Sequence, residues 1–326
     1  MHTKLPPPRL GIYKSWYSFK SWKKYQLALA NGENMKDNVA KLGRYAETGE
    51  AYVNPKYSTG QLEKPWTSAH IYCPLAVTAL RELGKWGMDS AERGGNSIHL
   101  SLTTCWMRLG VLAESTSTED SIAKFGWRQH GRMSLKCCPW VALMIVCNHD
   151  GERMGRLLLE GYQRRRYFDA EYYPLFHMIL RVIADWLDVR DTPWQPIAFS
   201  EPIMNAVAEN WREPDTEKLV PILLNACDYH THRCRAKLWS EFDNREFEHL
   251  PVEILMIFRL RESLGLTNPV LDHPLMNTPL GKLPALPLPE CDDPLYRAVL
   301  ARMQSQGFDP DKIYEAASNA PMPPPN

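Results

Sequence analysis

A chain of 326 residues is long enough for one large domain or two modest ones, and with 44% hydrophobic residues it can bury a substantial core without disulfide staples. Lysine plus arginine equals aspartate plus glutamate at 38 each, which excludes a long-range field toward nucleic acid or anionic lipid, and excludes a simple acidic mimic of DNA. The eight cysteines, at 73, 105, 137, 138, 147, 227, 234 and 291, lack both zinc-site pairing and the density of a secreted scaffold, so reduced thiols are expected. The N-terminus has no apolar core of signal-peptide length and no run of about 18 or more apolar residues occurs, so the expected location is the cytoplasm.

In chain order, residues 1–10 are a proline-rich extension, followed by Trp16, Phe19, Trp22 and Tyr25 at helical spacing with interleaved lysines. Those aromatics could stack on nucleic-acid bases, but the core is the expected place for them. Gly32 ends this helix; a second runs from Asn34 to Glu47, and Gly49 to Lys64 reads as a loop. Ser68 to Trp86 is a third helix closed by Gly87. Residues 96–104 alternate like a short strand before a helical Trp106, Leu109, Leu112 series.

Beyond Ser115 helices follow one another with short connections: Ser134–Cys147, Gly151–Tyr162, one from about Ala170, and one capped by Ser200. A long helix opens at Asp215 or Thr216 and reaches about Phe242 past Pro221; another starts at Pro251 and stops at Gly265. Asp293-Pro294 and Asp309-Pro310 start the last two, after the spacer Leu283–Pro289. The expected fold is therefore mainly α, antiparallel helical hairpins in a solenoid-like bundle with a small strand element near 96–104. The expected division is a loop-rich region at 1–115, a helical domain at 116–320 and a proline-rich tail at 321–326.

Several groupings could carry chemistry. His149-Asp150 at the end of a buried helix is similar to the way metal-dependent phosphohydrolases of the HD type hold a divalent ion; Asp185 or Asp188, with His99 or His130, would complete the ligands. The competing reading is that Asn148-His149-Asp150-Gly151 is ordinary turn chemistry. Cys227, His230 and Cys234 share a helix face, but so do Leu223 and Leu238, so a packed core with one hydrogen-bonded histidine outweighs zinc. Asp272-His273 has the outline of a dyad without a nucleophile, and Arg164–Arg166 reads as a solvated helix end. Of three acidic clusters, the one formed by Glu241, Asp243, Glu246 and Glu248 adjoins Trp239 and Phe242, the mixture that a surface binding a basic partner presents.

From about residue 135 to 305 helical pairs lead to an Ala/Leu-rich helix, Leu224–His230 through Trp239, then an acidic linker. A Leu250-Pro-led helix ending in Leu-Gly and the segment Pro269–Leu275 follow. This layout resembles bacterial immunity proteins that protect cells from polymorphic or contact-delivered toxins, including those of type VI secretion. The first 115 residues lie outside the resemblance. It implies a non-enzymatic protein without cofactor that neutralises one cognate toxin, for example a nuclease, by stoichiometric binding. Neither nucleic acid, membrane nor small-molecule substrate is expected as a partner. The contact surface is expected to include Trp239, Phe242, Asp243, Glu246 and Glu248. The alternatives are the HD-type phosphohydrolase, with His149, Asp150 and Asp185 on the metal, and a helical scaffold or regulator.

Overall fold

A computed structural model describes residues 8–16, 18–51, 64–67, 69–93, 98–125, 133–234, 240–242 and 245–319. Their architecture is all-α, with one isolated bridge between Met133 and Tyr167 and no strand among the described residues. The helices are α1 (Phe19–Ala30), α2 (Glu33–Thr48), α3 (Ala69–Arg93), α4 (Ile98–Phe125), α5 (Cys138–Val146), α6 (Gly151–Gln163), α7 (Pro174–Trp186), α8 (Pro202–Asn210), α9 (Thr216–Arg233), α10 (Val252–Ser263), α11 (Pro294–Ser305) and α12 (Pro310–Asn319). No described helix is long and apolar enough to cross a membrane.

Local chemistry explains most boundaries. Ser18 caps α1 by accepting from the Ser21 amide, Asp215 caps α9 through the Glu217 amide, and Asp293 caps α11 through the Tyr296 amide. Gly49 closes α2 in the left-handed conformation that glycine adopts without strain. Glu201 rather than Ser200 caps α8, because Ser200 completes the preceding 3-10 turn, Pro196–Phe199.

Two expectations fail for tertiary reasons. Gly87 does not close α3, which continues to Arg93; a Cβ there would lie 2.4 Å from Cη2 of Trp22, so the glycine instead lets the α1 indole rest on α3. The anticipated strand at 96–104 is, over its described residues, the start of α4. Its two threonines bond to their own helix, Thr103 to the His99 carbonyl and Thr104 to that of Ser101. Consecutive residues 100–107 are all buried there, so the alternation of apolar and small polar residues marks close packing on every side. Residue 115 lies inside α4, and a boundary there would cut that helix.

The nine residues of α5 are all buried, and α5 packs on α4, α6, α7 and α10. Each large side chain buried there contributes on the order of 1.5–3 kcal/mol. Successive pairs α5/α6, α6/α7, α7/α8 and α8/α9 make the hairpin contacts expected, while α10 returns to lie against α5, α7 and α9. The last two helices go back to earlier ones, α11 to α2 and α12 to α6. Arg302 of α11 donates to the carbonyls of Ala46 and Glu47, and the Tyr45 hydroxyl donates to Gln306 at 2.6 Å. One hydrophobic cluster consequently runs from Trp22 to Phe308.

Candidate functional site

The densest polar packing surrounds α9. Asp228 is buried and accepts from Arg9 Nε at 2.5 Å, Arg9 Nη2 at 3.0 Å, the Gly11 amide at 2.9 Å and His273 Nε2 at 3.2 Å. Burial alone would raise its pKa, but these donors outweigh it and hold the carboxylate below its usual range. His273 Nδ1 accepts from the Leu275 amide, so its proton sits on Nε2 and points at Asp228. Asn225 binds Leu10 and Pro8 backbone, and Thr231 accepts from the Tyr13 amide. Together these groups strap residues 8–13 along α9. The dyad suggested by Asp272-His273 thus has Asp228 as its acid and clasps three segments together; Asp272 instead accepts from Asn277.

His230, on the same helix, donates from Nδ1 to Glu253 at 2.8 Å and from Nε2 to the Phe247 carbonyl at 3.2 Å. Two acceptors require both nitrogens to carry protons. Burial opposes that charge, but Cys234 and Glu253 prevail and raise the pKa. Cys234 donates its thiol hydrogen toward the Glu248 carbonyl, so the shared face of Cys227, His230 and Cys234 belongs to the core.

The expected contact surface folds inward. The long helix stops at Arg233 instead of continuing to Phe242, since Cys234 leaves helical geometry. Phe242 is 1% exposed, its ring 4.2 Å from that of His230 and edge-on to Phe176. Glu246 and Glu248 are buried as well, and Glu241 pairs with Arg233. These side chains are therefore not presented to a partner in this structure; Trp239 and Asp243 lie outside the described residues. The aromatics in and just before α1 also serve the core: Trp16 and Phe19 pack on His249, and Trp22 Nε1 donates to the Arg245 carbonyl.

The alternative metal ligands do not meet. His149 and Asp150 occupy the α5–α6 turn, where Asn148 and Asp150 have positive φ. Asp150 accepts from Arg108 at 2.6 Å and from the Tyr314 hydroxyl at 2.8 Å, joining α4 to α12. Asp185, at the end of α7, accepts from Trp211 Nε1 at 2.9 Å and pairs with Arg212. Among the described residues no three His, Cys, Asp or Glu side chains are grouped to hold a metal ion. His149 instead borders a cavity of about 620 Å³ between α4, the α5–α6 turn and residues 286–291, where its Nε2 is 4.0 Å from Cys105 Sγ.

A second feature was not anticipated. Arg261 of α10 is fully buried and its guanidinium donates to three carbonyls: Trp211 at 2.7 Å, Glu213 at 2.8 Å and Thr267 at 2.6 Å. It thereby fixes the α8–α9 connection beside the turn after α10, while Asn268 bonds the Phe258 carbonyl from within that turn. The turn nonetheless exposes Leu264 and leaves Val270 91% accessible, next to buried Leu271. Exposed Glu217 and Glu262 and partly exposed Glu213 and Asp215 accompany these apolar tips, with Arg212 and Lys218 partly offsetting their charge. Arg261, one turn after Ile257 on a largely apolar helix, was the available sequence signal for the clamp.

Comparison of the chain with family models, curated proteins and solved structures gave no match.

Proposed function

We propose that this chain is an immunity protein that acts in the cytoplasm and neutralises a cognate toxin by stoichiometric protein–protein binding. The observation that carries this reading is the Arg261 clamp. It holds two inter-helix connections rigid while they display Leu264 and Val270 among carboxylates. A surface ordered before binding loses little conformational entropy on association, and apolar anchors with a polar rim are how tight interfaces are built. The carboxylates of Glu213, Asp215, Glu217 and Glu262 suit a partner with a basic face, as nucleases have. The layout of residues 135–305 supports the same reading. This reading puts the contact surface on the 211–217 and 262–270 segments in place of the buried Phe242, Glu246 and Glu248.

The test is contact competition between sibling cells of the source organism. Removing the gene should make a recipient sensitive to killing by its parent, and the intact gene should restore survival. Val270→Asp combined with Leu264→Asp should fail to restore it although the protein accumulates normally. A deletion strain as resistant as its parent would overturn the function. Full protection by the double variant would overturn the surface alone.

A further inference from the structure

The cavity beside α4 brings together three reactive side chains from separate parts of the chain: Cys105 on α4, His149 in the α5–α6 turn and Cys291 just before α11. Cys105 Sγ is 4.0 Å from His149 Nε2, and the Cys291 thiol and the Tyr296 hydroxyl both reach the Cys105 sulfur. His149 Nδ1 is buried with no hydrogen-bond partner. The volume of about 620 Å³ falls within the range of small-molecule sites. We propose that Cys105 and Cys291 form a redox-active dithiol which reacts with a low-molecular-weight disulfide entering this cavity, with His149 Nε2 taking the proton of Cys105.

The hydrogen bond from Cys291 pushes the Cys105 thiol well below its usual pKa, and His149 adds to that against the effect of burial. The same bond, with burial, raises Cys291, so Cys291 keeps its own proton while that of Cys105 passes to His149. Elsewhere burial raises the thiols of Cys73, Cys147 and Cys227. A thiolate is the attacking species in exchange, so selectivity falls on Cys105 even though Cys73 is the exposed cysteine.

In the first step the Cys105 thiolate attacks one sulfur of the small disulfide. A mixed disulfide forms, and the other half leaves as a thiolate that takes up a proton. Cys291 then has no anionic neighbour holding its proton. It attacks Cys105 Sγ as its proton passes to the departing thiolate, so that the second half leaves as a thiol. Two electrons pass from the two cysteines to the small disulfide, which departs as two thiols, and a Cys105–Cys291 disulfide ties the segment before α11 to α4.

The experiment incubates the full chain with oxidised glutathione, quenches in acid and maps cysteines by mass spectrometry. A loss of two hydrogens located in a Cys105–Cys291 cross-link, reversed by dithiothreitol, is expected. Cys291→Ser should stop with one glutathionyl group on Cys105, and His149→Gln should slow the reaction about tenfold. Without any variant, limited iodoacetamide should modify Cys105 ahead of Cys73. Modification of Cys73 first, a cross-link between another pair, or unmodified Cys105 and Cys291 would overturn the proposal.

Discussion

The packing around α9 and the cavity beside α4 treat an imidazole in opposite ways. His273 and His230 have both ring nitrogens engaged, against Asp228 and the Leu275 amide in one case and Glu253 and the Phe247 carbonyl in the other. His149 has one nitrogen near a sulfur, the other without a partner, and open space in front. A titratable group whose every atom is committed stabilises the fold and has nothing left to react with. One that leaves a nitrogen buried without a partner costs stability, and where its other nitrogen borders a cavity that nitrogen is available for chemistry. The same residue type is thus structural or reactive according to what its second nitrogen meets.

Substitutions that break this contrast should fall in a definite order. Asp228→Ala removes the acceptor of Arg9, the Gly11 amide and His273 together, and should cost about 3–5 kcal/mol in denaturant unfolding. Because the folded carboxylate titrates below its usual range, its contribution is present above the ordinary carboxylate pKa and lost as pH falls through the folded value. A variant whose acid unfolding matches the parent's would remove Asp228 from the clasp.

Glu248 tests the opposite sign. Burial pushes it up to about 8, and its Oε2 has no hydrogen-bond partner. Stability from this group is complete below the unfolded carboxylate pKa and declines as pH rises through the folded value. Glu248→Gln should therefore raise stability by about 1–2 kcal/mol above about pH 8 and leave it unchanged near pH 5. Thermal melts at the two pH values decide the matter, and equal shifts at both would refute it.

His149→Gln should be the mildest of these, within about 1 kcal/mol of the parent, because no hydrogen bond of ordinary length is lost. His273→Gln in parallel should cost distinctly more, and equal losses would erase the distinction between the two regions. Val270→Asp, at a position 91% exposed, should leave the melting temperature unchanged while bearing on partner binding alone.

The all-α class, the hairpin order from α5 to α9, the caps at Asp215 and Asp293 and the helix start at Pro310 were legible because they depend on residues within one or two turns. The strand read at 96–104 and the helix extended to Phe242 failed where the surroundings outvoted the local pattern. A central helix buried on every side erased one alternation, and a segment turning inward to bury Phe242 and Glu248 ended the other. His149 stood out in the sequence only as an alternative metal ligand, yet its neighbour Asp150 belongs to Arg108 and Tyr314, and the cavity it borders brings it near cysteines far away in the chain.

Periodicity and capping thus determined from the sequence alone which stretches are helices and that they pack in pairs, because those signals are written in neighbouring residues. Which carboxylates are buried, which histidine faces open space, that Arg261 clamps two turns and that Cys105 meets Cys291 were decided only by tertiary packing. Each depends on segments dozens of residues apart arriving at the same place, and no local spacing encodes that distance.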